Sequence, residues 1–64
     1  MEAYQQRVVD EKEALDKKIK SLNVFTNDPN KFNDLPSDER VRLTKQEEAM
    51  LEYSSILGER IANF

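Results

Sequence analysis

Apolar residues recur at helical spacing along the first third of the chain. Between residues 2 and 22 they stand three, four or seven positions apart, at Tyr4, Val8, Leu15, Ile19 and Leu22. This spacing predicts one amphipathic helix over residues 2–22, because residues three and four apart share a helix face. The apolar line is interrupted at Glu11 and Lys12. We therefore expect the first turns of this helix to pack less firmly than the rest.

A second periodic segment, residues 38–63, carries two apolar lines. The first line repeats every seven residues and consists of Leu43, Met50, Leu57 and Phe64. Ile61, four residues after Leu57, extends it. Such a repeat is typical of a coiled-coil seam and is expected to face the first helix. The second line consists of Ala49, Tyr53 and Ile56. Since one partner helix covers only one line, the second predicts another interface, most simply with a second copy of the chain.

Small residues accompany the second apolar line. Ser54 and Gly58 are four positions apart, so they lie one turn apart on the same face of the helix. Small side chains let two helix backbones approach closely, which adds both residues to the expected oligomer interface of Ala49, Tyr53 and Ile56. The alternative is that Gly58 is only tolerated near a fraying helix end, at a cost of about 1 kcal/mol relative to Ala.

Turn-forming residues separate the two helices over residues 23–37. Asp28 followed by Pro29 is typical of a helix N-cap and first helical position, which predicts a single helical turn near residues 29–33. Apolar residues in this connector are expected to close the open end of the molecule: Phe25, Phe32 and Leu35. Ser37 is the expected N-cap of the second helix. The predicted fold is all-α: one domain, residues 1–64, forming an antiparallel helical hairpin that self-associates into a bundle.

Composition narrows the chemistry. The 64 residues include neither Cys nor His, so disulfides are impossible and a zinc site is not expected. The most common general base and the best nucleophile are absent as well. Glu48 and Glu52 are one turn apart, but two carboxylates without His predict a solvated acidic face rather than a metal site. With a single Gly no phosphate-binding glycine loop can form. We predict a protein that is not an enzyme and uses no cofactor or metal.

Charge and hydropathy limit the partners. The net charge is −3, which argues against binding DNA or RNA, because such binding relies on basic patches. No apolar run is long enough for a signal peptide or a bilayer span. We therefore expect a soluble, intracellular protein with no membrane partner.

One cluster of cations is a candidate anion site. Arg40, Arg42 and Lys45 surround Thr44 near the start of the second helix, where free backbone N–H groups already favour an anion. Cations for phosphates and aromatic rings for bases are the usual parts of a nucleotide site, and Tyr4 or Tyr53 offers a ring. The alternative is a solvated helix face, since Arg42 is four residues from Asp38 and can pair with it.

The sequence SDERVRLTKQEEAMLEYSSILGERI, with YQQRVVDEKEALDKKIKSL before it, resembles a family of small helical-hairpin proteins of tailed phages, of the crAss-like type. Within it, LTKQEEAMLEY resembles the signature T-x-L-E/Q-E-A-M-x-W of phage anti-CBASS and anti-Thoeris sponge proteins. The matching residues are Thr44, Glu48, Ala49 and Met50, with Tyr53 near the aromatic position. Ser37, Glu39 and Arg40 are a loose counterpart of the Ser-Arg-Glu found near the helix start in that family.

The resemblance implies a function that composition does not. Sponge proteins bind cyclic nucleotide signals of bacterial defence at the interfaces of a small oligomer, without cleaving them. The leading hypothesis is a phage-encoded oligomer that sequesters a cyclic nucleotide or an ADP-ribose-derived signal in the host cytoplasm. The alternative is a small adaptor or inhibitor of a host protein, which binds through Ala49, Tyr53 and Ile56 and takes no nucleotide.

Overall fold

The structure is a computed structural model that describes residues 1–64, and it consists of three helices without a strand. Helix α1 spans Ala3–Thr26, α2 spans Pro29–Phe32 and α3 spans Ser37–Ala62. The molecule is a rod of 45 × 15 × 13 Å, as expected when two long helices lie side by side. The predicted all-α hairpin with a one-turn connector helix is therefore confirmed.

Contacts between α1 and α3 show that the two helices run antiparallel. The ring of Tyr4 lies 5.9 Å from the ring of Phe64, centroid to centroid. At the other end, the hydroxyl of Thr26 donates to Glu47 Oε2 at 2.9 Å. The start of α1 thus lies beside the end of α3, and the end of α1 beside the middle of α3.

Two helix boundaries differ from the sequence expectation. Helix α1 continues to Thr26, four residues beyond the predicted end, and the Thr26 hydroxyl donates back to the carbonyl of Asn23 at 3.1 Å. Asn23, one of the residues that suggested a turn, is thus part of the last turn of α1. Helix α3 starts at Ser37 itself, with Pro36 in the cap position and no capping side-chain hydrogen bond. Asp28, by contrast, caps α2 as expected, accepting from the Asn30 backbone N–H at 3.1 Å.

The core is small and contains part of the predicted seam, namely Met50, Leu57 and Ile61, whereas Phe64 at the end of the seam is 43% exposed. Three apolar residues are buried, and Leu57 is the most enclosed at 1% exposure; the other two are Val8 and Leu15. Around them pack three partly buried side chains: Ile19, Met50 and Ile61. Full burial of a leucine contributes about 1.5–3 kcal/mol, so Leu57 is a major anchor in so small a core. Because Val8 is buried, the expectation of loose packing in the first turns does not hold there.

A polar cluster fills the interruption in the apolar line of α1. The Lys12 ammonium donates to Asp16 Oδ2 and to Ser54 Oγ, both at 2.9 Å. The Ser54 hydroxyl in turn donates to Asp16 Oδ1 at 2.5 Å. These hydrogen bonds, from Lys12 first and Ser54 second, lower the pKa of Asp16. We call Lys12, Asp16 and Ser54 the polar tie, because it joins the two long helices.

The small residues of α3 serve this tie. Ser54 is buried inside the hairpin, and a Cβ placed on Gly58 would lie 3.4 Å from Lys12 Cε. The missing side chain of Gly58 therefore leaves room for the Lys12 chain. The sequence assigned Ser54 and Gly58 to an interface with a second copy, whereas the structure places both against α1 of the same chain.

The connector closes the open end of the hairpin only in part. Four apolar residues line a cleft of about 390 Å³ between the helices: Leu22, Phe25, Leu35 and Leu43. Phe32 does not line this cleft and lies in a different groove. None of the helices combines the length and the apolar character that a bilayer crossing requires.

Candidate anion-binding groove

An open groove of about 480 Å³ lies between helix α2 and the first three turns of α3. Its lining comprises Phe32, Ser37, Arg40, Val41, Thr44, Lys45 and Glu48. Four residues of helix advance about 6 Å, so Arg40, Thr44 and Glu48 form a row along the groove. The volume lies within the range of small-molecule sites, roughly 300–1,000 Å³.

Arg40 is the most unusual residue of the groove. Its side chain is half-buried, yet its Nε is shielded from solvent and has no hydrogen-bond partner. No ion pair involves Arg40 or Lys45, since the ion pairs of the chain involve Lys12, Lys17 and Arg42. A buried charged donor without a partner costs free energy. The groove is therefore lined by two cations that form no ion pair, and the carboxylate of Glu48 lines it as well.

Arg42 does not belong to this groove. Its Nη2 lies 3.5 Å from Asp38 Oδ2, and its Nε lies 3.3 Å from Glu39 Oε1. Both partners are exposed acids of the first turn of α3, so Arg42 is an ordinary paired cation on the helix surface. Of the three predicted cations, the structure brings Arg40 and Lys45 together and leaves Arg42 outside.

Thr44 lies in the groove, but its hydroxyl is engaged. Its Oγ1 donates to the backbone carbonyl of Arg40 at 2.9 Å. A hydroxyl has one proton and two lone pairs, so Thr44 in this rotamer can accept a hydrogen bond from a ligand. To donate to a phosphate it must first give up its bond to Arg40.

The two tyrosines predicted to stack on a base lie far from the groove. Tyr4 packs edge-on against Phe64 at the opposite end of the rod. Tyr53 follows Arg40 by 13 residues, which places it about 20 Å along α3 and about 140° around it. Within one chain, neither ring can contact a ligand held by Arg40.

Phe32 is the aromatic residue that the groove does contain. The sequence assigned it to the closure of the hairpin together with Phe25 and Leu35. Asp28 and Pro29 could have indicated the position of Phe32 from sequence. A helical turn that starts there ends at Phe32 and brings its ring against α3. The sequence pattern of the connector does not show in which direction this short helix packs.

A second exposed surface runs along α3 outside the groove. Tyr53 is 43% exposed and Ile56 47% exposed, and Ala49 is exposed beside them. This apolar line is not covered by α1. Leu51, which the sequence reading did not single out, is also 51% exposed.

The groove offers binding groups and few reactive ones. Its polar residues can donate to or accept from a ligand, and two of them, Arg40 and Lys45, carry positive charge. No group of three or more metal-binding side chains occurs in the chain. The geometry suits an anion that also presents a flat or apolar part to Phe32 and Val41.

Together the fold and this groove define a small all-helical hairpin protein with an open groove lined by two unpaired cations. Its sequence matches the Sequestin family over residues 2–63, nearly the whole chain, and the chain belongs to this family. The family name indicates sequestration of a molecule, in agreement with the resemblance to sponge proteins. No curated protein matches the chain. No solved structure matches it either.

Proposed function

We propose that this protein sequesters a nucleotide-derived immune signal of bacterial anti-phage defence and binds it without cleaving it. Three lines of support converge: membership of the Sequestin family, the sponge-like segment from Leu43 to Tyr53, and the groove. The groove carries the proposal, because Arg40 and Lys45 both line it and neither forms an ion pair. In this proposal the protein is encoded by a phage and acts in the cytoplasm of the host.

Phosphate binding follows from the side chains of the groove. The Arg40 guanidinium offers a planar fork that matches two phosphate oxygens, and the Lys45 ammonium adds a second positive charge. Because neither cation has to leave a protein carboxylate first, an incoming phosphate gains both without breaking an ion pair. Sequestration requires only that the complex forms at the concentration of the signal. No bond in the ligand has to break.

Self-association completes this proposal. The apolar line of Ala49, Tyr53 and Ile56 is exposed in the single chain, and Tyr53 can reach a ligand only in another copy. We expect Tyr53→Glu to dissociate the assembly, because burying an unpaired charge is costly. Sedimentation of the parent and the variant measures this. A parent chain that is monomeric at micromolar concentration would contradict self-association.

Calorimetry tests the proposed activity directly. The panel contains cyclic dinucleotides and cyclic molecules derived from ADP-ribose, and circular dichroism establishes that the protein is folded. We expect at least one member to bind with a stoichiometry of one per groove. Native mass spectrometry of protein purified from infected, defence-active cells then reports the bound molecule and the oligomer number together. A folded protein that binds no member of the panel would overturn the proposal.

The exposed apolar line also supports a second candidate, an adaptor or inhibitor that binds a host protein. Under this alternative Tyr53 and Ile56 are the anchors of a protein interface, and the groove takes no nucleotide. The two candidates differ in one measurement. Arg40→Ala should abolish activity against the host defence if the protein acts by binding a nucleotide, and should leave that activity unchanged in the adaptor case. Ile56→Glu should abolish activity in both cases, because Ile56 belongs to the self-association surface of the first candidate and to the protein interface of the second.

A further inference from the structure

A row of exposed charges runs along one edge of the uncovered apolar line of α3. Lys45, Glu52 and Glu59 stand seven residues apart, so they lie on the same side of the helix. All three are exposed, and none of them takes part in an ion pair of the single chain. The row begins with a cation and ends with two acids, and its charges are free to meet those of another molecule.

The opposite edge of the apolar line is already covered. Met50 and Leu57 directly follow Ala49 and Ile56 in the sequence, and both belong to the core shared with α1. In an antiparallel pair of helices related by a two-fold axis, like edges of the two helices meet, whereas in a parallel pair unlike edges meet. A parallel pair would therefore press each row of charges against the α1 side of its partner, and only the antiparallel pair brings the two rows together.

The row is self-complementary in one antiparallel alignment. When Lys45 lies opposite Glu59 of the partner subunit, the two-fold axis repeats the same contact at the other end. Ala49 then lies opposite Tyr53 of the partner subunit, which sets a small side chain against a large one. Sliding one helix by seven residues would instead place Glu52 against Glu59 of the partner subunit, where like charges repel.

We infer that two copies of this chain pair through α3 in antiparallel orientation, with Lys45 of each copy bonded to Glu59 of the other. The inference rests on the self-association that the proposed function includes, and it extends to the groove, because Lys45 lines the groove. A lysine ammonium has three N–H donors, so Lys45 can hold Glu59 of the partner subunit and an anion at the same time. The second copy thereby positions one cation of the binding groove.

Other charges of α3 fit this alignment with one exception. At each end Arg60 approaches Arg42 of the partner subunit, but the charge of Arg42 is offset by Asp38 and Glu39. Glu52 lies next to the two-fold axis, where it faces Glu52 of the partner subunit. This is the unfavourable contact of the pair, and Glu52→Gln should leave the association equal or tighter.

Charge reversal tests the contact between Lys45 and Glu59. Lys45→Glu alone and Glu59→Lys alone should each weaken self-association roughly 10- to 100-fold in sedimentation, because symmetry repeats each new repulsion. The double variant carries both reversals and should associate nearly as tightly as the parent. Lys31→Glu reverses an exposed, unpaired charge on α2 and is the control that should change nothing. The inference is overturned if the single reversals have no effect, if the double variant stays dissociated while circular dichroism shows it folded, or if the parent is monomeric.

Thiol cross-linking tests the orientation, since the chain contains no Cys. A short bis-maleimide should link Lys45→Cys to Glu59→Cys when the two variants are mixed, and should not link Lys45→Cys to itself. Cross-linking of Lys45→Cys alone, without any product specific to the mixture, would show a parallel pair and overturn the inference.

Calorimetry with the panel of cyclic nucleotides remains the separate readout of the proposed function. If the parent binds a member of the panel but the reversals leave its assembly unchanged, the antiparallel pair is wrong and sequestration stands. If the reversals behave as expected and the panel is silent, the pair stands and sequestration of these signals is wrong.

Discussion

Lys12 and Arg40 are both half-buried cations, but their surroundings differ completely. Lys12 lies between the two long helices, where Asp16 and Ser54 accept its hydrogen bonds at 2.9 Å. Arg40 lies in the groove on the outer side of α3, where its Nε has no partner and no acid pairs with it. The two cations are alike in burial and differ in whether a carboxylate pairs with them. The proposed binding role falls on the cation without such a partner.

The largest effect is expected on stability, at Leu57 in the core between the two long helices. Leu57→Ala removes the most enclosed side chain of the core and should lower the free energy of unfolding by about 2–5 kcal/mol. Leu51→Ala removes the same atoms from an exposed position and should stay within about 0.5 kcal/mol. Urea denaturation followed by circular dichroism measures both. A loss below about 1 kcal/mol at Leu57 would show that the seam is not where the stability lies.

The next largest effect is expected on ligand affinity, and it distinguishes Arg40 from Arg42. Arg40→Ala removes an unpaired charged donor, which should weaken binding of the nucleotide by about 1.5–3 kcal/mol. Arg42→Ala removes a cation already paired with Asp38 and Glu39, so nucleotide affinity should remain nearly unchanged. Calorimetry with the ligand identified from the panel gives both values. Equal losses in the two variants would mean that general charge, rather than the groove, attracts the ligand.

A smaller effect is expected at the polar tie. Ser54→Ala deletes the hydroxyl that accepts from Lys12 and donates to Asp16, and should lower stability by about 0.5–1.5 kcal/mol. Ser55→Ala changes the exposed neighbour and serves as the control. If the two serine variants unfold at the same urea concentration, the tie contributes nothing measurable to the fold.

The last prediction is confined to acid pH. Lys12 and Ser54 lower the pKa of Asp16 in the folded chain, so the ionised carboxylate stabilises the fold above its ordinary pKa of about 3.9. This contribution is lost as the pH falls through the lowered pKa of the folded state. Denaturation curves from pH 6 to pH 2 should therefore show a weaker pH dependence for Asp16→Asn than for the parent. Parallel curves for the two proteins would show that Asp16 is not coupled to folding.

The fold was accessible from sequence because its main contacts repeat. A seven-residue spacing placed Leu57 in the seam, and the structure has it there at 1% exposure. Lys12 was read as an interruption, since a pattern of apolar positions cannot show that a lysine chain crosses to Ser54. The packing of Gly58 against α1 was missed for the same reason. Its neighbour is a side chain from the other helix, and that pairing depends on the alignment of the two helices.

The site was accessible only where it lies on one helix. Arg40, Thr44 and Lys45 are close in sequence, so their grouping followed from helical spacing, and the structure places all three in the groove. Phe32 comes from a separate short helix, and its position depends on how the connector turns. Tyr4 and Tyr53 have the right chemistry for stacking, but the length of the rod keeps both away from Arg40.

The polar tie also sets the alignment of the two helices. Aliphatic side chains are interchangeable partners, so a purely apolar seam allows α3 to slide along α1 by one turn, about 5.4 Å. Such a slide would separate Lys12 and Asp16 from Ser54 and leave the buried Ser54 hydroxyl without these partners. The connector is only ten residues long, from Asn27 to Pro36, so the same alignment decides which turn of α3 faces Phe32. We therefore expect Ser54 to influence the position of Phe32 beside Arg40, a residue about 20 Å further along α3.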